Sequence, residues 1–149
     1  MIRHSWILIF LLLSGMSSAH DQIQQIKTIK QAKTAIVGVG LYNPLNAPRH
    51  QLRGTGFVIA HRDGKSIIAT NHHVVHGPEF DKAKSEVSIH VGEGRDAKFY
   101  RARRLTENKR ADVALLEVAT HIPTLALEKA TREIPAGTDI ILAGLPIGS

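Results

Sequence analysis

The residues best equipped for chemistry stand in two short runs. The first is Ile67-Ile68-Ala69-Thr70-Asn71-His72-His73-Val74-Val75, which sets an imidazole where an apolar strand leaves the core for a turn. A histidine there is held rigidly yet reaches solvent, and its near-neutral pKa suits a general base. A structural histidine satisfied by its neighbours fits the same position. The second run is Asp112-Val113-Ala114-Leu115-Leu116-Glu117-Val118, an apolar strand opened by a carboxylate. Drawn partly into the core, that carboxylate needs a donor, and an imidazole N–H is a natural one. Capping by local backbone amides serves equally well. His72 and His76 have the i,i+4 spacing of zinc ligands on a helix, but a metalloprotease helix carries a Glu between them and this segment has none. No metal site is expected.

These runs need a scaffold, and the sequence supplies short β-rich segments for it. Strands are expected over Ala35–Val39, Gly56–Ala60, Ser66–Thr70, Val87–Val91, Lys98–Arg104 and Asp112–Val118. Val87-Ser88-Ile89-His90-Val91 alternates apolar and polar residues with the period of a half-buried strand. Asp63-Gly64 marks a tight hairpin. Loops are expected from Asn43 to Arg53 and from Gly77 to Lys84, and at Gly92-Glu93-Gly94. No long amphipathic helix separates the strands, so a closed antiparallel barrel or a sandwich is implied rather than a parallel sheet.

The chain of 149 residues is one domain's length, 43% hydrophobic and 21% charged, which excludes general disorder. It has no cysteine, which removes disulfides, Cys-based zinc sites and thiol nucleophiles. Arg3 and His4 precede eight apolar residues, Trp6 to Leu13, and then Ser14-Gly15-Met16-Ser17-Ser18-Ala19. This is the pattern of a secretory signal peptide, and it is far short of the roughly 20 apolar residues of a membrane span. An exported, periplasmic or secreted protein without a membrane span is expected. Ile23, Ile26 and Ile29 recur every third residue in the polar leader that follows, compatible with a short amphipathic helix.

The net charge of +6 is concentrated between Arg95 and Arg110, where Arg95, Lys98, Arg101, Arg103, Arg104, Lys109 and Arg110 oppose only Asp96 and Glu107. Nucleic-acid binding would also ask for exposed stacking aromatics, and only Phe99 and Tyr100 are nearby. A solvated outer face is the expectation, with no nucleic-acid partner.

Taken in order, Gly54-Thr55-Gly56-Phe57-Val58-Ile59, Thr70-Asn71-His72-His73-Val74-Val75, Asp112-Val113-Ala114-Leu115-Leu116 and Gly137-Thr138 through Gly144-Leu145-Pro146-Ile147-Gly148 resemble the landmarks of trypsin-like serine proteases of the HtrA/Deg type. The resemblance runs from Ala35 to Gly148. It implies an all-β fold, a six-stranded antiparallel β-barrel that is the first of a chymotrypsin-like pair, plus the opening strand of the second, Thr138 to Ala143. Residues 1–19 are then the signal peptide, 20–33 a leader, 34–128 the first barrel, and 129–149 a linker and the start of the second barrel. The resemblance makes His73 the general base and Asp112 the residue that orients it, with unfolded polypeptide as substrate, no cofactor, and oligomerisation in the full-length relative. Gly54 and Gly56 allow close backbone approach beside the histidine strand.

The nucleophile of that family sits in a Gly-(Asn/Asp)-Ser-Gly-Gly turn of the second barrel. No serine here stands in such a turn, Ser66 and Ser88 lying in strand-like runs, Ser85 in a loop and Ser149 at the last position. The oxyanion hole belongs to the same turn. The expectation is a peptidase sequence truncated before its serine and inactive as it stands. An unpaired strand at 138–143 would favour aggregation. The alternative is a non-catalytic barrel that binds peptides, which would have no need of both His73 and Asp112.

Overall fold

The computed structural model describes residues 26–92, 94–124, 133, 135–138, 140 and 142–145. The signal segment 1–19 and residues 20–25 of the leader lie outside the described residues. The chain divides into two units at Lys33 and Thr34. The described residues of the first, 26–33, are helical. Among the described residues no helix is long and apolar enough to cross a membrane.

The second unit is the expected all-β, six-stranded antiparallel barrel. Its strands are β1 (Ile36–Tyr42), β2 (His50–Arg62), β3 (Lys65–Thr70), β4 (Glu86–Val91), β5 (Lys98–Asn108) and β6 (Val113–Val118). They close in the order β1-β2-β3-β6-β5-β4, and β4 pairs with β1 to complete the ring. The barrel is filled from its walls by Val37, Val39 and Leu41 of β1, Val58 of β2, Ile68 of β3, Ile89 of β4, and Ala114, Leu116 and Val118 of β6, all essentially buried. Each large aliphatic side chain so enclosed contributes about 1.5–3 kcal/mol. Val74, Val75 and Phe80, from the connection after β3, pack into the same core.

Asp63 and Gly64 turn β2 into β3 with both residues at positive φ, +51° and +73°. That is the backbone of a two-residue hairpin whose twist matches the strands. β2 starts at His50 and so takes residues 50–53 from the expected loop, because β1 is long enough to pair as far as Tyr42↔His50. β5 runs on to Asn108, four residues past Arg104, since β6 offers partners as far as Val113.

The expected strand over 138–143 is not formed at its described positions 138, 140, 142 and 143. Ile140 and Leu142 stand 72% and 90% exposed there. A strand needs a neighbour's N–H and C=O groups, and the six barrel strands already pair with one another in a closed ring. Leu145 does touch the barrel, its N–H donating to Thr55 Oγ1 at 3.0 Å.

Candidate active site

The last rung of the β3–β6 ladder, Thr70↔Ala114, sets the two runs of interest side by side at one rim. Beyond Thr70 the chain enters a 3-10 helix, His72–Val74, with Asn71 extended at its N-cap. Val74 anchors this turn in the core. Behind it lies Gly54 of β2, where a Cβ would stand 2.6 Å from Val74 Cγ2. Gly56 is pressed as closely, a Cβ there falling 2.7 Å from Ile68 Cγ2. Both glycines therefore let β2 lie against the histidine segment.

On the other side of the rung, Asp112 closes the turn from Lys109 with φ +51°, a left-handed conformation that Asp tolerates better than most residues. That conformation moves the start of β6 to Val113, one residue later than expected, and turns the carboxylate towards the 3-10 helix. Oδ1 accepts from the His73 backbone N–H at 3.0 Å, and Oδ2 lies 2.7 Å from His73 Nδ1. Asn71 Nδ2 donates to the Asp112 carbonyl at 3.1 Å and to Oδ2 at 3.3 Å. The backbone N–H of His73, then its ring, hold the Asp112 carboxyl below the ordinary carboxylate range, with Asn71 helping and partial desolvation opposing.

Facing an ionised acceptor, Nδ1 carries the ring proton, which leaves the Nε2 lone pair free. The His73 side chain is 71% exposed and that of Asp112 44%, so Asp112 is a rim residue and is not drawn into the core. Such a pair can take a proton from a nearby hydroxyl at Nε2 and return it.

Asn71 received no role from the sequence, although it stands between Thr70 and His72; its two bonds to a residue 41 positions away are a tertiary fact. Glu107 was likewise missed. It reaches from β5 to His72 and His76, supplying the acid that the histidine segment itself lacks.

Among the described residues no serine hydroxyl bonds the His73 ring. Ser66 Oγ donates to the Thr120 carbonyl at 2.7 Å and accepts from the Ile122 N–H, and Ser85 Oγ accepts from Asn43 Nδ2. Ser88 is buried in β4. Three arginines of the basic strip, Arg101, Arg103 and Arg104, lie against acids. Arg101 pairs with Glu86 at 2.7 Å, Arg103 with Glu117 at 3.0 Å, and Arg104 donates to the Val75 carbonyl at 2.5 Å while lying over Phe80. These arginines line a cavity of about 540 Å³ beside Glu117, which contains neither His73 nor Asp112.

No curated protein matches the chain. Among solved structures it is similar to the protease domain of MamO from Magnetospirillum magneticum in its apo form, at 24% identity and a TM-score of 0.45. That match covers 64% of this chain and 44% of the other, so the chain spans less than half of that domain's length. The model of the trypsin-like peptidase domain matches residues 54–149, well over half of the chain, and the protein belongs to that family.

Proposed function

We propose that this chain carries the base and the orienting acid of an exported serine endopeptidase of the HtrA type, acting on unfolded or exposed polypeptide segments. The observation that carries the reading is the 2.7 Å contact from His73 Nδ1 to Asp112 Oδ2, reinforced through the His73 backbone N–H. In the reaction, Asp112 fixes the tautomer with Nδ1 protonated. Nε2 takes the proton of a serine hydroxyl as its oxygen attacks the peptide carbonyl, and the carboxylate stabilises the imidazolium that results. Nε2 then gives that proton to the departing amine.

The serine in this scheme is one that these 149 residues do not supply, since none of them lies in a Gly-(Asn/Asp)-Ser-Gly-Gly turn. The reading therefore makes the 149-residue chain inactive by itself. No cofactor enters the chemistry. Export rests on the pattern of residues 1–19, and the acids already bound to Arg101 and Arg103 support a protein that does not bind nucleic acid.

The test is hydrolysis of casein by two polypeptides, the 149-residue chain and the product of the reading frame continued past Ser149. The first should cleave no faster than buffer. The second should carry the serine turn and cleave, and His73→Ala should abolish that cleavage. Continuation into sequence without such a turn, with peptide binding retained and no cleavage, would replace the peptidase by a binding barrel.

A further inference from the structure

The residues on either side of the candidate base have a chemistry of their own. His72 and His76 stack with ring centroids 3.8 Å apart and planes 17° from parallel. Glu107 of β5 reaches across to both, its Oε2 hydrogen-bonded to His76 Nε2 and 3.7 Å from His72 Nε2. One potential ligand atom from each of the three lies within 4.8 Å of the others. The side chains are half sheltered, His72 at 14% exposure, Glu107 at 26% and His76 at 39%. Arg104 approaches the other carboxylate oxygen, its Nε 3.7 Å from Oε1, and so leaves Oε2 turned to the imidazoles.

Two imidazole nitrogens thus converge on a single carboxylate oxygen. A cation placed among them would bind all three at once, whereas a single oxygen must otherwise be shared by two rings. We propose that His72, His76 and Glu107 form a binding site for a borderline divalent transition cation of the zinc type, with water completing the coordination. In a tetrahedral zinc site with N and O ligands the donor atoms stand about 3.4 Å apart. The three donor atoms already lie within 4.8 Å of one another, so small side-chain movements that exchange the Glu107–His76 hydrogen bond for coordination would bring them to that spacing.

Imidazole with one carboxylate selects zinc, cobalt, nickel or copper over magnesium and calcium. The acid comes from β5 rather than from the histidine segment, so the arrangement is not that of a metalloprotease helix. The two histidines bracket His73 in the chain, while Asp112 holds His73 itself. A bound cation would pin the segment that carries the base without using it as a ligand.

The experiment titrates the 149-residue chain with cobalt(II), read by its visible absorption, and then with zinc(II), read by displacement of that band and by the melting temperature. One saturable equivalent of cobalt, displaced by zinc, with melting raised by zinc, is the expected result. His76→Ala and the shape-preserving Glu107→Gln should each weaken binding by about tenfold or more. His73→Ala should leave it intact, which separates this site from the peptidase reading: either can fail alone. Absence of a saturable band, binding unchanged in either ligand variant, or binding lost in His73→Ala would overturn the proposal.

Discussion

One strand and the turn that opens it hold two acids with opposite characters. Asp112 enters β6 at the rim, its side chain 44% exposed and its backbone at φ +51°. Glu117, near the other end, is 8% exposed and meets Lys65 at 3.1 Å, Arg103 at 3.0 Å and Arg62 at 3.8 Å. Both are held below the ordinary carboxylate range, by different means. Arg103 and then Lys65 do this for Glu117, against its burial. For Asp112 the work falls to the backbone N–H and ring of His73. A guanidinium stays charged at any physiological pH, whereas an imidazole exchanges its proton there. Equal pKa directions thus accompany unequal roles, a structural acid fixed by permanent cations and a rim acid coupled to a titratable base.

The sharpest way to break that contrast is to neutralise each acid in turn in a polypeptide that carries the serine turn. Asp112→Asn should lower kcat by about ten-thousandfold with a smaller loss of melting temperature than Glu117→Gln gives. Glu117→Gln should do the reverse, lowering the melting temperature while kcat stays near that of the parent. Equal losses of kcat from both would erase the distinction.

A smaller effect comes from pressing on the rim from behind. Gly54→Ala places a methyl 2.6 Å from Val74 Cγ2, where Val74 is only 6% exposed, and should destabilise the barrel by about 1–3 kcal/mol in urea melts. It should also weaken the His73–Asp112 contact, visible as a change in the Nδ1 proton resonance.

Stability against pH sharpens the contrast further. A carboxyl with its native pKa below its unfolded one leaves the unfolded chain binding more protons in the interval between them, so stability rises with pH there. The contribution is complete above the ordinary values of 3.8 for Asp112 and 4.5 for Glu117, and is lost as pH falls through the depressed ones. Asp112→Asn and Glu117→Gln should each make the acid limb of the melting curve shallower. His50 and His90, held below 6.5 chiefly by burial, add a separate decline that begins as pH falls through 6.5 and that neither variant removes.

The smallest effect is expected at the β2–β3 turn, which Arg62 and Lys65, two of the partners of Glu117, flank. Gly64→Ala meets nothing within 4 Å but must keep φ at +73°, which costs about 1 kcal/mol by thermal melts.

How much of this could be read from residue order follows the range of each interaction. The barrel was legible because its signals are local: alternation at Val87–Val91, the Asp63-Gly64 turn, and apolar runs at β3 and β6. The pairing of His73 with Asp112 was legible only through the resemblance, since each residue alone admits a structural reading. Strand ends failed where pairing, not composition, decides them. Gln51 to Arg53 look like loop and Thr106 to Asn108 lie past the expected strand end, yet both join strands because a neighbour offers hydrogen bonds. Glu107 and Asn71 were invisible as site residues for a related reason, each acting on residues 31 and 41 positions distant.

The Thr70↔Ala114 rung has a consequence for how this protein tolerates change. Thirty-nine positions separate the base from its acid along the chain, yet their spacing in space is gauged by one ladder step, with His73 three residues past it and Asp112 two before. Lengthening or shortening the exposed stretch from Asp81 to Lys84 should leave that gauge untouched. A slip of a single residue between β3 and β6 would turn the pair to opposite faces, however well the remaining strands were kept.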